Sequence, residues 1–141
     1  MNRKASAIWQ GGLKDGKGTI STESAVLSQT QYSFGTRFEN GKGTNPEELV
    51  AAAHAGCFSM ALSAELGKSE ITPASIETSA TVTLEKLDAG WTVSKVHLDV
   101  KAKIPGADPA TFSAAAETAK ANCPISKLLN ATITMQASLE K

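Results

Sequence analysis

Apolar residues recur at every second position through two long stretches of this chain. Ile76, Thr78, Ala80, Val82 and Leu84 share one parity, the period of a strand that turns one face to a core. After a turn at Asp88-Ala89-Gly90, Trp91 and Val93 fall on odd positions, but Val96, Leu98, Val100, Ala102 and Ile104 fall on even ones. A slip of one residue near Ser94-Lys95 is the mark of a β-bulge. Ala131, Ile133, Met135, Ala137 and Leu139 predict a last strand. Nearer the start, residues 5–34 read as short strands joined by Gly-containing turns, and residues 35–45 as a polar loop.

Between these strand patterns lies a helix of good start chemistry. Asn45 can cap it, Pro46 suits its first turn, and Glu47 and Glu48 favour its positive end. It runs to about Leu66 and stops at Gly67. Its middle, Val50 to Leu62, is apolar or small nearly all round, which predicts burial on several sides. A second helix covers about Pro109 to Ala121; Asn122-Cys123-Pro124 and a short helix to Leu129 follow. The fold expected is α+β, antiparallel sheets packed on a long buried central helix, in a single domain over residues 1–141.

Composition narrows the function classes. Basic and acidic residues balance at 14 each, so the positive footprint of a nucleic-acid binder is missing. Aromatics make up only 5% and Ala supplies much of the apolar count. Such a core buries little area per residue, so a subunit interface is expected to add to it. The basic N-terminus has no apolar stretch behind it, which argues against a secretory signal. Leu49 to Leu66 is interrupted by His54, Ser59, Ser63 and Glu65, which favours a soluble helix over a membrane span. The expected compartment is the reducing cytoplasm, where two cysteines are core thiols or redox-active ones rather than a permanent staple. Gly11, Gly16 and Lys17 nearly spell a phosphate-binding loop, but Gly18 stands where Ser or Thr would hold magnesium. That segment reads as a hairpin tip.

Cys57 sits in an Ala-rich helix, where a cysteine often serves as a small core residue. Cys123 precedes Pro124 at a helix start, a setting that lowers a thiol pKa. No Cys-x-x-Cys motif links them, so spacing neither supports nor forbids a pair. His54 and Cys57, at i and i+3, have a workable bidentate spacing for a metal. The remaining soft ligands are Cys123 and His97, and His97 falls on the polar face of its strand, so a closed four-ligand site is not expected. Arg37, in the Gly-rich loop, is either a solvated residue or a cation that stabilises a thiolate, its fork held by a carboxylate.

At these residues the chain resembles a known family. Thr36-Arg37-Phe38, then Gly43-Thr44-Asn45-Pro46-Glu47-Glu48-Leu49, then Ala52-Ala53-His54-Ala55-Gly56-Cys57-Phe58-Ser59-Met60-Ala61-Leu62 are similar to the OsmC/Ohr family. So is the downstream run Ala119-Lys120-Ala121-Asn122-Cys123-Pro124-Ile125-Ser126, and the likeness extends over essentially the whole chain, most of all to the osmotically inducible branch. Gly56 is the one departure noticed, and it puts nothing in doubt. The resemblance implies an intertwined homodimer without metal, haem or flavin; the charge balance and the helix composition have already made nucleic-acid and membrane partners unexpected. It implies a thiol peroxidase for organic hydroperoxides, less active on hydrogen peroxide, recycled by a dithiol or a lipoyl-bearing protein, in oxidative or osmotic stress defence. Cys57 then matches the peroxidatic cysteine, Cys123 the resolving one, and Arg37 and Glu47 the residues that activate the thiolate.

Helix geometry adds one expectation. Glu47 and Cys57 are roughly 15 Å apart along a straight helix and about 80° apart around it. An Arg tied to Glu47 is therefore expected to serve the Cys57 of a second subunit; the alternatives are a kinked helix or an Arg37 loop that reaches Cys57 without Glu47. Two further readings stay open: a small-molecule-binding stress protein with incidental cysteines, and a general disulfide oxidoreductase.

Overall fold

A computed structural model describes residues 1–140, in the order β1 (Ala5–Gln10), β2 (Lys17–Thr22), β3 (Thr30–Ser33), α1 (Phe34–Phe38), α2 (Pro46–Gly67), β4 (Ser75–Leu87), β5 (Gly90–Lys103), α3 (Pro109–Asn122), α4 (Pro124–Leu128) and β6 (Thr132–Glu140). The chain divides into two compact units, Met1–Leu49 and Val50–Lys141.

In the first unit β1, β2 and β3 form an antiparallel sheet in that order. The near-phosphate loop is the β1–β2 hairpin tip, closed by Gly16 N–H donating to Gly12 O at 2.8 Å. Gly18 pairs with Trp9 on one side and Tyr32 on the other. A Cβ there would run into the Tyr32 ring, so glycine lets the two rings close to 5.3 Å between centroids. The expected polar loop after residue 34 begins instead with α1. Its cause is a capping box: Thr36 N–H donates to Ser33 Oγ at 3.3 Å and Ser33 N–H to Thr36 Oγ1 at 2.8 Å. Five residues are too few to leave a helical period in the sequence. Asn45 caps α2 as expected, its Oδ1 accepting from Glu48 N–H at 2.8 Å while its Nδ2 donates to Thr36 O at 3.1 Å.

The second unit holds the remainder of α2 and a sheet ordered β4-β5-β6. β4 and β5 are antiparallel, with a register shift at Thr83/Leu84 that leaves Ser94 as the extra residue of the expected bulge. β6 corrects the expectation of antiparallel sheets throughout: it runs parallel to β5. Parallel neighbours need a long crossover, and α3 with α4 supplies it; alternation within a strand carries no information on direction. Val96, Leu98, Val100, Ala102 and Ile104 enter one core with Phe58, Leu62 and Leu66 of α2 and Phe112, Ala116 and Ala119 of α3. Asp108 starts α3, accepting from Thr111 N–H at 2.9 Å; that bond, with the Thr111 hydroxyl, holds its carboxyl below the usual range.

The central helix differs from expectation. Of α2, only His54, Phe58, Leu62 and Leu66 are buried, one stripe at i, i+4 spacing. Ala52, Ala53, Gly56, Met60 and Ser63 are exposed, Met60 at 77%. Length and composition alone would let α2 cross a membrane, and 22% of that span is buried within the chain. One chain covers only part of this all-round apolar pattern.

Candidate active site

The N-terminal unit brings Arg37 and Glu47 together. The α1 capping box fixes the turn that carries Arg37, and the Asn45 cap fixes the first turn of α2, where Glu47 sits. Arg37 Nη2 donates to Glu47 Oε1 at 2.8 Å, and Nε to both carboxylate oxygens at 3.2 Å. This is the two-pronged pairing that guanidinium geometry favours. The Arg37 side chain keeps 37% of its surface in water, against 14% for Glu47. Its guanidinium carbon stands 5.3 Å from the centre of the Phe38 ring. Arg37 also lines a cavity of about 290 Å³ with Trp9, Leu13, Tyr32, Phe34 and Phe38. Composition gave no signal for this cavity; the aromatics are scattered in sequence, and the sheet and α1 gather them.

The second unit brings the two cysteines together. Both are free, Cys123 fully buried and Cys57 half-buried. Cys123 Sγ lies 2.9 Å from Cys57 Sγ and donates to it. Burial pushes the Cys57 thiol up from its ordinary value and the bond to Cys123 adds to that, while the Ile125 amide pulls it back down. The α4 start, expected to serve Cys123, thus offers its Ile125 amide to Cys57. Cys123 itself joins the two helices: its N–H closes α3 on Ala119 O at 2.8 Å, and its carbonyl opens α4 by accepting from Lys127 N–H at 3.1 Å.

His54, a candidate metal ligand by its spacing from Cys57, is fully buried with Nε2 hydrogen-bonded to Ser126 Oγ at 2.8 Å. Burial lowers its pKa. Ser126 closes the downstream family-like run, which gives it no role; it stands three residues after Cys123 as His54 stands three before Cys57. His97 is less exposed than its strand pattern suggests, for Nδ1 is hydrogen-bonded to Thr134 Oγ1 at 2.6 Å and Nε2 lies 3.7 Å from Asp99. Among the described residues no group of three or more His, Cys, Asp or Glu gathers where a metal ion would fit. Chemically, a half-buried thiol with a second thiol at contact distance can be oxidised and then close a disulfide.

Known proteins share this arrangement of sequence and fold. Peroxiredoxin OsmC of Escherichia coli strain K12 is 52% identical over 140 residues, covering 99% of this chain and 98% of that protein. Organic hydroperoxide resistance protein-like 2 of Staphylococcus epidermidis is 33% identical over 100 residues, 70% of this chain and 68% of that one. Among solved structures, the OsmC-like protein of Mycoplasma pneumoniae superposes with a TM-score of 0.78 at 14% identity, covering 100% of this chain and 99% of that one. The organic hydroperoxide resistance protein OhrB of Bacillus subtilis gives 0.70 at 24% identity, covering 96% and 98%. At such identities these two speak for the fold. The profile of the OsmC-like protein family matches residues 39–138, and the chain belongs to that family.

Proposed function

We propose that this protein is a cysteine-based peroxidase that reduces organic hydroperoxides to alcohols, and hydrogen peroxide more weakly, in cytoplasmic defence against oxidative and osmotic stress. The observation that carries the proposal is the contact of two free thiols at 2.9 Å, one half-exposed and one buried. The names of its relatives, a peroxiredoxin and organic hydroperoxide resistance proteins, support it.

The Cys57 thiolate attacks the distal peroxide oxygen. The O–O bond breaks, the alkoxide takes a proton and leaves as an alcohol, and Cys57 becomes a sulfenic acid. The Cys123 sulfur then attacks the Cys57 sulfur; the S–O bond breaks, and hydroxide leaves as water with the Cys123 proton. An external dithiol or lipoyl-bearing protein reduces the disulfide by two exchanges, restoring both thiols and leaving as its own disulfide.

A thiol raised by burial needs a cation to ionise it near neutral pH. In the proposed site that cation is Arg37, oriented by Glu47, and the aromatic cavity beside it receives the apolar part of the peroxide. Each active site is built from two chains of a homodimer, Arg37 and Glu47 of one subunit serving Cys57 of the other. The exposed small and apolar residues of α2, Ala52, Ala53, Gly56 and Met60, support this association, because small side chains let helices approach closely and Met60 exposes an apolar surface. In this reading the two units work as one functional domain over residues 1–141.

Consumption of cumene hydroperoxide with a dithiol, followed by alcohol release, tests the proposal. The expected result is catalytic turnover that vanishes when both thiols are alkylated. Peroxide left intact would mean a binding protein with incidental cysteines, and dithiol-driven reduction of protein disulfides without peroxide turnover would mean a disulfide oxidoreductase.

A further inference from the structure

His54 lies nearly one turn before Cys57 on α2, and Ser126 lies on α4 just past Cys123. Their hydrogen bond, at 2.8 Å, joins the helix of one cysteine to the helix that follows the other. The second ring nitrogen of His54, Nδ1, is buried without a hydrogen-bond partner among the described residues. Folded proteins rarely leave such an atom unpaired, so a buried imidazole here calls for a reason that filling space does not supply.

That reason lies in how α4 is held. None of its five residues is buried; it lies between the fully buried Cys123 and Leu129, which packs on the core. Three polar ties join the Cys123–α4 segment to α2: the Cys123–Cys57 sulfur contact, the Ile125 amide to Cys57, and Ser126 to His54. Two of the three end on the Cys57 sulfur. Both are altered when that sulfur gains an oxygen atom. The tie from Ser126 to His54 does not involve sulfur.

We propose that His54 and Ser126 are positioning residues that keep Cys123 docked on α2 after Cys57 has been oxidised, and so set how often the disulfide closes before a second peroxide arrives. The proposal rests on the peroxidase reading above. At the branch point the Cys57 sulfenic acid has two fates. It condenses with the Cys123 thiol, releasing water, or it takes a second oxygen atom from another hydroperoxide, which leaves as alcohol, and becomes a sulfinic acid. Condensation depends on a near-attack arrangement of two sulfurs, whereas oxidation by free peroxide does not.

The test follows both fates by rapid mixing with cumene hydroperoxide, quenching with an alkylating reagent, and mass spectrometry of Cys57. In Ser126→Ala, disulfide closure is expected to slow by about tenfold and sulfinic acid to rise in step, with alcohol release in the first turnover within about twofold of wild type. Ser126→Thr and His54→Gln, which can each keep a hydrogen bond across the gap, should restore most of the wild-type partition. Circular dichroism checks the fold, and because Ser126 is only half-buried its variant decides the matter even if His54→Gln fails to fold. Equal partition in Ser126→Ala and wild type overturns the inference, as does a proportional loss of both steps, the mark of a general structural defect. A wild-type protein that makes neither alcohol nor disulfide overturns the peroxidase reading and this inference with it; normal wild-type closure beside an unchanged variant overturns this inference alone.

Discussion

Arg37 and Glu47 meet partly in water, joined by three hydrogen bonds on a helix start built from capping side chains. Cys57 and Cys123 meet at the edge of an apolar core, where burial raises the Cys57 thiol. The first pair is a charge already compensated and oriented; in the second, burial and the bond to Cys123 push the Cys57 thiol up from its ordinary value. A charge is cheap to maintain where water reaches it, and partial burial favours the neutral form of a thiol. Each pair lacks what the other has, and this is why the proposed site unites them across a dimer.

The largest expected effect comes from the sulfur side. Cys57→Ser should lower peroxide turnover by at least about a thousandfold while leaving the circular dichroism spectrum unchanged, since the nucleophile is lost and little volume changes. Residual turnover within a few-fold of wild type would remove Cys57 from the mechanism. On the charged side, Arg37→Ala should raise the Cys57 pKa further and slow peroxide attack by about a hundredfold, with Arg37→Lys in between because an ammonium cannot pair two-pronged with Glu47. The alkylation rate of Cys57 against pH reads this directly; identical profiles in wild type and Arg37→Ala would make Arg37 a solvated surface residue. Inactive Cys57→Ser and Arg37→Ala chains, refolded together, should regain about a quarter of wild-type activity through mixed dimers with one intact site. No recovery despite verified subunit exchange would separate the two pairs for good.

A smaller effect concerns stability. Burial pushes the pKa of His54 below its ordinary 6.5, so as pH falls below that value the unfolded chain takes up a proton that the folded chain refuses. The unfolded state then binds more protons, and stability declines as pH drops, by at most about 1.4 kcal/mol per pH unit for one group. Urea midpoints measured at pH 7.5 and 5.5 should differ more in wild type than in His54→Gln. An equal shift in both would assign the pH dependence to other groups.

Strand existence, the bulge at Ser94 and the cap at Asn45 were legible because each is written in a few neighbouring residues with a fixed period or offset. The parallel pairing of β6 was not, because strand direction is decided by a crossover and leaves no trace in alternation. The α2 pattern was legible but ambiguous: Ala52, Gly56 and Met60 read as core, and a single chain leaves them exposed. The cysteine pair became specific through family resemblance, since the long stretch between Cys57 and Cys123 carries no pairing rule. The roles of Ser126 and the Ile125 amide were not legible for a related reason, though both stand in the family-like run. Their roles come from where α4 docks, and none of its five residues is buried.

The central claim is that Cys57 and Cys123 of one chain pass through a sulfenic acid to a disulfide at the expense of an organic hydroperoxide. Mass spectrometry of the reduced protein after one equivalent of cumene hydroperoxide tests it most directly. The account predicts one equivalent of alcohol, a mass loss of about 2 Da per chain from two thiol hydrogens, and a single intrachain Cys57–Cys123 crosslink. Unconsumed peroxide, or a crosslink between chains in place of one within each chain, would contradict it.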